Sequence, residues 1–499
     1  MKRIKIFFFS AVVCLGSLFL LPGCNNSSEK KADGKVTDIP ATTASADAKA
    51  SFQEGLLAFD LGDTKKARAS FSKAIELDPK FGIAYLYRAN LATSSKEFAD
   101  DINAGKANLD SASDWEKMYG DYQAAGLSGD RKKQVETLEK IAAAYPEAAR
   151  AQMDLSFAYT GNNQFDKSRA AAQKATELDP KFPGGFDALT VSYLFNDPKD
   201  LKKAEENALK VVELAPKSAG AQILLGDVYR GQNELQKAKD AYAKAVSLDP
   251  ESPDGYSKEG NANTFLGNME EARKNYADGS AYDVNKINYL GPTAYTYLYA
   301  NGDYKMAMKT LMDGLSKVDT ASKAANAQKN ALLSNCAAIA MHYNDAAAFK
   351  QVAMMMIPIS AQLDNDLGTA EGKSYAKADE AGWHAQMAMA DEKYDEAKAK
   401  AEEMKAALDP IKDDRKLEGY HATMGMISMK QKNYADAITH FEKADQTFIY
   451  NKYWLAMANE AAGNKDKAMS LFKEVAAYNF NDVGNALVRA EVKKKVAMP

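Results

Sequence analysis

The chain has 499 residues, 46% hydrophobic and 26% charged, with a formal charge of −4. A mildly acidic, well-mixed balance of this kind is ordinary for a globular protein and leaves no basic footprint for nucleic acid. Only 14 prolines interrupt long alanine-rich stretches, which favours helix throughout.

At the N-terminus, Lys2, Arg3 and Lys5 precede an apolar run from Ile6 to Leu21, and the sequence then reads Leu21-Pro22-Gly23-Cys24. A charged start, a short apolar stretch and a small residue before the cut point predict an export signal over 1–23. The run is shorter than the ~20 residues a spanning helix needs. Its ending resembles the bacterial lipobox, Leu-x-Gly-Cys. That resemblance implies lipidation of the Cys24 thiol, cleavage after Gly23 and acylation of the new amine, which together give a palmitate-type membrane anchor. Asn25 stands where, in that family's sorting rule, Asp would retain the protein at the inner membrane. The expected address is therefore the periplasmic face of the outer membrane in a bacterial cell envelope. Of the three cysteines, Cys14 leaves with the signal and Cys24 carries lipid, so Cys336 has no partner for a disulfide. It sits in the apolar segment LLSNCAAIA and reads as a small buried hydrophobe.

Residues 24–47 combine the lipidated cysteine with Ser, Lys, Asp, Thr and Ala in no apolar period, which predicts a flexible tether. Its reach as a coil is roughly 25–30 Å. The helical body opens at Ala48. Its clearest segment is 219–252, where Leu225-Gly226 is followed by Tyr229, Ala238, Tyr242, Ala245 and Pro250. Small residues stand where two antiparallel helices would approach, aromatics fill the space between them, and Pro250 falls where a helix must have stopped. Ala67, Phe71, Ala74 and Pro79 repeat the second half of this pattern, as do Ala172, Ala175 and Pro180. Ala204, Ala208 and Pro216 do so again, and later Ala437, Phe441 and Ala444. The phase weakens over 82–114 and breaks over 322–377, where Pro358 and LDNDLGTAEG interrupt helical text. Residues 483–499 read as a short amphipathic helix with a basic end, suited to capping a stack.

The order Leu-Gly-x-x-Tyr, Ala-x-x-x-aromatic, Pro, on a period of about 34 residues, resembles the tetratricopeptide repeat. The resemblance covers roughly 48–499 and implies an all-α superhelical solenoid of tandem helical hairpins. The expected layout is an N-terminal array at 48–321, an irregular helical insert at 322–377, a C-terminal array at 378–482 and the capping helix. The lipobox, the segment LDSASDWEKMYGDYQAAGLSGD and the close YNFNDVGNALVR give this layout a resemblance to bacterial tetratricopeptide lipoproteins of unassigned chemistry.

Local chemistry points away from an enzyme. There is no His-Glu-x-x-His, no phosphate-cradling Gly-rich loop and no Gly-x-Ser-x-Gly elbow. Gly126-Leu127-Ser128-Gly129 comes near the elbow with its second glycine one place early, and reads as a turn. His342, His384, His421 and His440 show no metal-ligand spacing. No metal or cofactor is expected.

What remains is a surface. In the repeat family the first helix of each unit lines a concave groove. Carried onto these units, the resemblance implies apolar anchors at Phe157, Phe186, Leu189, Tyr193, Tyr289 and Tyr299, with polar contacts at Arg150, Asn196, Asp227, Arg230 and Asn261. Aromatics among amides and opposite charges suit an extended peptide or a partner helix. The family's clamp for C-terminal carboxylates is incomplete, because Asn261 lacks the basic pair in the next unit. Sixteen of the 20 methionines lie at or after Met306, as adaptable core filler or as a permissive second groove. The expected function is a lipid-anchored scaffold that binds envelope proteins or peptides, in assembly of an envelope machine. The alternative is an envelope binding protein or chaperone for a glycan, peptide or other ligand.

Overall fold

The computed structural model describes residues 39–283, 286–322 and 324–497. The expected export signal, Cys24 and the tether as far as residue 38 lie outside the described residues. Within them the protein is an all-α helical repeat solenoid, and no strand occurs.

Among the described residues, twenty-five α-helices follow one another as twelve hairpins and a further single helix. The first seven hairpins are α1 (Ala46–Asp60) with α2 (Thr64–Leu77), α3 (Gly82–Ala89) with α4 (Ser95–Ala107), α5 (Asp114–Leu127) with α6 (Arg131–Ala144), α7 (Ala149–Gly161) with α8 (Phe165–Leu178), α9 (Pro183–Phe195) with α10 (Leu201–Leu214), α11 (Ala219–Gly231) with α12 (Leu235–Leu248), and α13 (Pro253–Leu266) with α14 (Met269–Tyr282). A 3-10 turn at Lys286–Tyr289 leads into α15 (Leu290–Asn301) with α16 (Tyr304–Leu315). Then come α17 (Ala325–His342) with α18 (Ala346–Asn365), α19 (Ala370–Ala390) with α20 (Tyr394–Ala407), α21 (Glu418–Lys430) with α22 (Tyr434–Lys443), α23 (Ile449–Ala461) with α24 (Lys465–Ala477), and finally α25 (Val483–Ala497).

Most hairpin turns share one construction. A single left-handed residue, glycine at Gly62 and Gly302 or asparagine at Asn163, Asn233 and Asn344, reverses the chain. In several hairpins the next residue, such as Asp63, Asp303 or Asp345, caps the second helix through its side chain. Between the two helices the contact is close. A Cβ on Gly226 would stand 2.4 Å from the Tyr242 ring, one on Gly55 2.6 Å from Phe71, and one on Gly425 2.7 Å from Phe441. Only a residue without a side chain lets the aromatic ring of the second helix lie flat against the first.

The same turn construction recurs at Tyr343-Asn344-Asp345, inside the stretch expected to be an irregular insert. Residues 322–377 instead hold a regular hairpin, α17 and α18, and the start of α19. These helices run 18, 20 and 21 residues, against 12 to 15 in most of the others. The added turns displace the alanine and aromatic positions from the usual phase. Pro358 is accommodated inside α18. At 82–114, where the phase also weakened, α3 has only eight residues.

The described chain divides into two compact units. The N-terminal unit takes 39–262 with Ala281–Asp283, and the C-terminal unit takes Asn263–Ser280 with 286–497. In the N-terminal unit the described chain includes the nine residues before Ala48. Ile39 is buried in the core with Phe52 and Trp115, Thr42 donates from its backbone N–H and its hydroxyl to Glu116, and the Thr43 hydroxyl donates to Asp78 at 2.5 Å. The last part of the expected tether is therefore a docked strap.

In the C-terminal unit, α25 lies against α24 and α23 and also against α15 and α17. Six successive residues, Gly484 to Arg489, are buried, so its first turns are enclosed on all sides. The helix expected to cap the stack is packed as an internal strut.

Candidate functional site

The residues that the repeat pattern assigns to a groove fall in both units. Arg150, Phe157, Phe186, Leu189, Tyr193, Asn196, Asp227, Arg230 and Asn261 belong to the N-terminal unit, whereas Tyr289 and Tyr299 belong to the C-terminal one. Helices α7, α9 and α11 carry most of the first group because each supplies the first helix of its hairpin.

Several of these side chains are packed or paired within the chain. Phe157, Leu189 and Tyr193 cluster with Met153, Phe182 and Ala188. Tyr193 also lies beneath two cations, Arg169 at 4.7 Å and Lys203 at 5.4 Å from its ring centre. Asn196 donates to the Thr160 hydroxyl at 3.1 Å. Phe186 and Asn261 are half-buried on α9 and α13. In the C-terminal unit Tyr289 is buried with Ala272 and Tyr276, and Tyr299 meets Phe265 edge-on at 5.7 Å.

The charged residues form two buried knots. In the first, Asp227 accepts from Arg230 at 2.9 Å, from Lys258 at 2.6 Å and from the Tyr242 hydroxyl at 2.7 Å. Burial works to raise the Asp227 carboxyl, but Lys258 and Arg230 outweigh it and hold it below the usual carboxylate range. In the second, the two terminal nitrogens of Arg150 reach the two oxygens of Asp60 at 2.6 and 2.5 Å. This is a fork-on-fork pair whose guanidinium also lies over the Phe182 ring at 5.1 Å. Asp60 ends α1, so the tip of the first hairpin reaches the inner side of α7. Leu61 carries this further: its carbonyl oxygen would lie 1.9 Å from a Cβ on Gly220, the second residue of α11.

Around this tip gather carboxylates that the repeat pattern did not single out. Burial and the neighbouring Asp60 charge push Asp187 on α9 up to about 7. Burial, with Asp249 nearby, pushes Asp63 up to about 6, although a backbone N–H bond from Lys66 opposes it. Burial also raises Asp254, with Lys258 opposing. Asp187 directly follows Phe186, an assigned groove position; a helical stripe is wide enough to include such a neighbour. The role of Asp60 has no local signal, since its partner lies 90 residues away.

The inner side of the C-terminal unit is filled by α25. Arg489 stacks on Phe265 at 4.7 Å and donates to the Tyr478 carbonyl at 2.7 Å and the Asn479 side chain at 2.6 Å. Tyr453 donates to Glu491 at 2.9 Å. The structure also brings together two histidines that the sequence spacing kept apart. The Nδ1 atoms of His421 and His440 are 3.0 Å from each other, across the hairpin α21–α22. Burial and the facing ring hold His421 down to about 4, and burial also lowers His440. Burial alone holds His342 at about 4. Among the described residues, no set of three or more His, Cys, Asp or Glu side chains could hold a metal ion. No helix among them is long and apolar enough to cross a membrane.

Known proteins supply a second line of comparison. Tetratricopeptide-repeat models match residues 48–81 and 219–252, 149–182, and 450–479, each falling on one hairpin. Solved structures with similar stretches include MamA, at 22% identity over 34% of this chain and 96% of that one, with a TM-score of 0.29. YrrB, described as a tetratricopeptide-repeat protein with an unusual peptide-binding site, is 18% identical over 39% of this chain and 99% of that one, with a TM-score of 0.27. A tetratricopeptide-repeat protein from Parabacteroides merdae is 10% identical over 58% of this chain and 99% of that one, with a TM-score of 0.34. No curated protein matches the chain. The matched segments, with the Gly226–Tyr242 contact repeated at Gly55–Phe71 and Gly425–Phe441, show that this chain carries tetratricopeptide repeats.

Proposed function

We propose that this protein is a lipid-anchored scaffold of the bacterial cell envelope that gathers protein partners, in assembly of an envelope machine. The observation that carries the reading is the succession of helical hairpins in each unit, four of which match tetratricopeptide-repeat models, a repeat whose bearers bind proteins and peptides. The anchor rests on Leu21-Pro22-Gly23-Cys24, and the outer-membrane address on Asn25. Partner contact is assigned to α7, α9 and α11, where Phe186 is half-buried.

Two measurements test it. A photocrosslinker at Phe186 in intact cells should capture a discrete protein that the same group at Leu209, exposed on the second helix α10, does not. Equal capture at both positions removes the assignment of α9 as a partner face. Cys24→Ser should abolish incorporation of labelled palmitate and change the processed size. Unaltered labelling removes the anchor.

A further inference from the structure

We propose that the turn between α1 and α2 is a latch that closes the inner side of the N-terminal unit and can release it. It is held by the Asp60–Arg150 fork and opposed by the carboxylates against which it packs.

In a repeat solenoid each hairpin is stabilised by its immediate neighbours, so the stack can wind or unwind while those contacts persist. Contacts that skip several repeats are different in kind. The tip of the first hairpin makes three such contacts: Asp60 with Arg150 on α7, Asp60 with the Asp187 charge on α9, and the Leu61 carbonyl with Gly220 on α11. The roots of that hairpin are secured separately, by Phe52 and Phe71 in the core and by Gly55 against the Phe71 ring. Withdrawing the tip therefore breaks the skipping contacts and leaves every hairpin intact.

The forces on the tip are opposed. For closure there is one bidentate ion pair, almost wholly buried, with side-chain exposures of 6% for Arg150 and 4% for Asp60. Gly220 provides the notch that lets the Leu61 carbonyl approach. Against closure there is like charge. Asp60 faces Asp187 on α9, and both Asp60 and Asp154 on α7 act on Tyr87 of α3 beside Arg150. Asp63 faces Asp249 after α12 and Asp254 on α13, with Lys65 and Lys66 on its own helix as the nearby cations. Burial raises Asp254, which is in turn lowered by Lys258 and raised by Asp283, so the cations near these carboxylates are Arg150, Lys65, Lys66 and Lys258.

The direction with pH follows. In the closed form burial, with Asp60 and Asp249 beside them, holds Asp187 at about 7 and Asp63 at about 6; opening that hydrates these carboxyls and removes Asp60 releases the protons. Closure is favoured at low pH and weakens as pH rises through 6 to 7. Opening leaves the Arg150 fork facing the inner side, available to a carboxylate presented by a partner. The latch does not depend on lipid anchoring.

Hydrogen exchange on the full chain, corrected for intrinsic rates, tests this at pH 6 and pH 8. Amides 61–66 and 219–222 of the wild type should exchange roughly threefold or more faster at pH 8, as a linkage of this size requires. Asp187→Asn should remove most of that difference and slow exchange at pH 8. Asp60→Asn should exchange fast at both values, with a larger radius of gyration in solution scattering. Equal wild-type protection at both pH values overturns the latch, as does Asp60→Asn protection equal to wild type. If Asp60→Asn loses helicity, Asp187→Asn decides alone: loss of the pH difference supports the latch, and its persistence overturns it.

Discussion

The Gly226–Tyr242 contact permits a quantitative test of how these hairpins hold together. Gly226→Ala adds one methyl group in the middle of α11. By helix propensity alone the change should stabilise by about 1 kcal/mol. The new Cβ would lie 2.4 to 2.9 Å from three atoms of the Tyr242 ring, well inside the ~3.5–4.0 Å of carbon contact. The ring has little freedom to retreat, because Tyr242 is fully buried and its hydroxyl donates to Asp227 at 2.7 Å. Overpacking of this kind costs up to about 3 kcal/mol, leaving a net loss of about 1–2 kcal/mol. Gly161→Ala is the control. It makes the same change at the end of α7, where nothing lies within 4 Å, and should stabilise by up to about 1 kcal/mol. Urea unfolding followed by circular dichroism should move the two midpoints in opposite directions. A stabilising shift in both variants refutes the reasoning, as does failure of Tyr242→Leu to relieve the Gly226→Ala defect.

The remaining predictions concern buried charge. Arg150→Met strands Asp60 and should cost about 3–5 kcal/mol by chemical denaturation, with much of it recovered in the double variant Arg150→Met/Asp60→Leu. The two units should respond to acid in opposite directions. All four histidines lie in the C-terminal unit, and those at 342 and 421 resist protonation down to about 4, so its stability should fall as pH drops from about 6.5 toward 4. In the N-terminal unit Asp187, Asp63 and Asp254 are raised, so its stability should grow as pH drops from about 7 toward 5. Limited proteolysis at pH 7.5 and pH 5 with assignment of the fragments distinguishes these outcomes. The Cys336 thiol is buried and pushed up to about 12, so alkylating reagents should leave it unmodified until urea unfolds the C-terminal unit.

The hairpins were legible where their signals are local. Gly226, Tyr242 and Ala245 lie within 20 positions of one another, and their spacing states which helix faces which. The stretch 322–377 hid its hairpin because extra helical turns moved the small and aromatic residues out of phase. The sign that survived was the turn, Asn344-Asp345, built like Gly62-Asp63 and Gly302-Asp303. Assigned groove positions such as Arg150 and Asp227 do lie on first helices, but their buried partnerships were not legible. Asp60 is 90 residues from Arg150, and Lys258 is 31 from Asp227. Pairings of that range depend on how tightly successive hairpins wind, which no single repeat specifies.

The buried position of α25 bears on the order in which the protein can be made. Its first turns complete a core that also contains Leu298 on α15, Leu333 on α17 and Leu455 on α23, so those helices wait for residues made well after them. While the chain is still emerging, each hairpin can form, yet the C-terminal unit keeps an open apolar face until Leu487, Val488 and Val492 arrive. A chain truncated after Val488 lacks Arg489 and Val492 and exposes that face permanently. A chain without α25 is thus left with the kind of surface that chaperones and proteases engage.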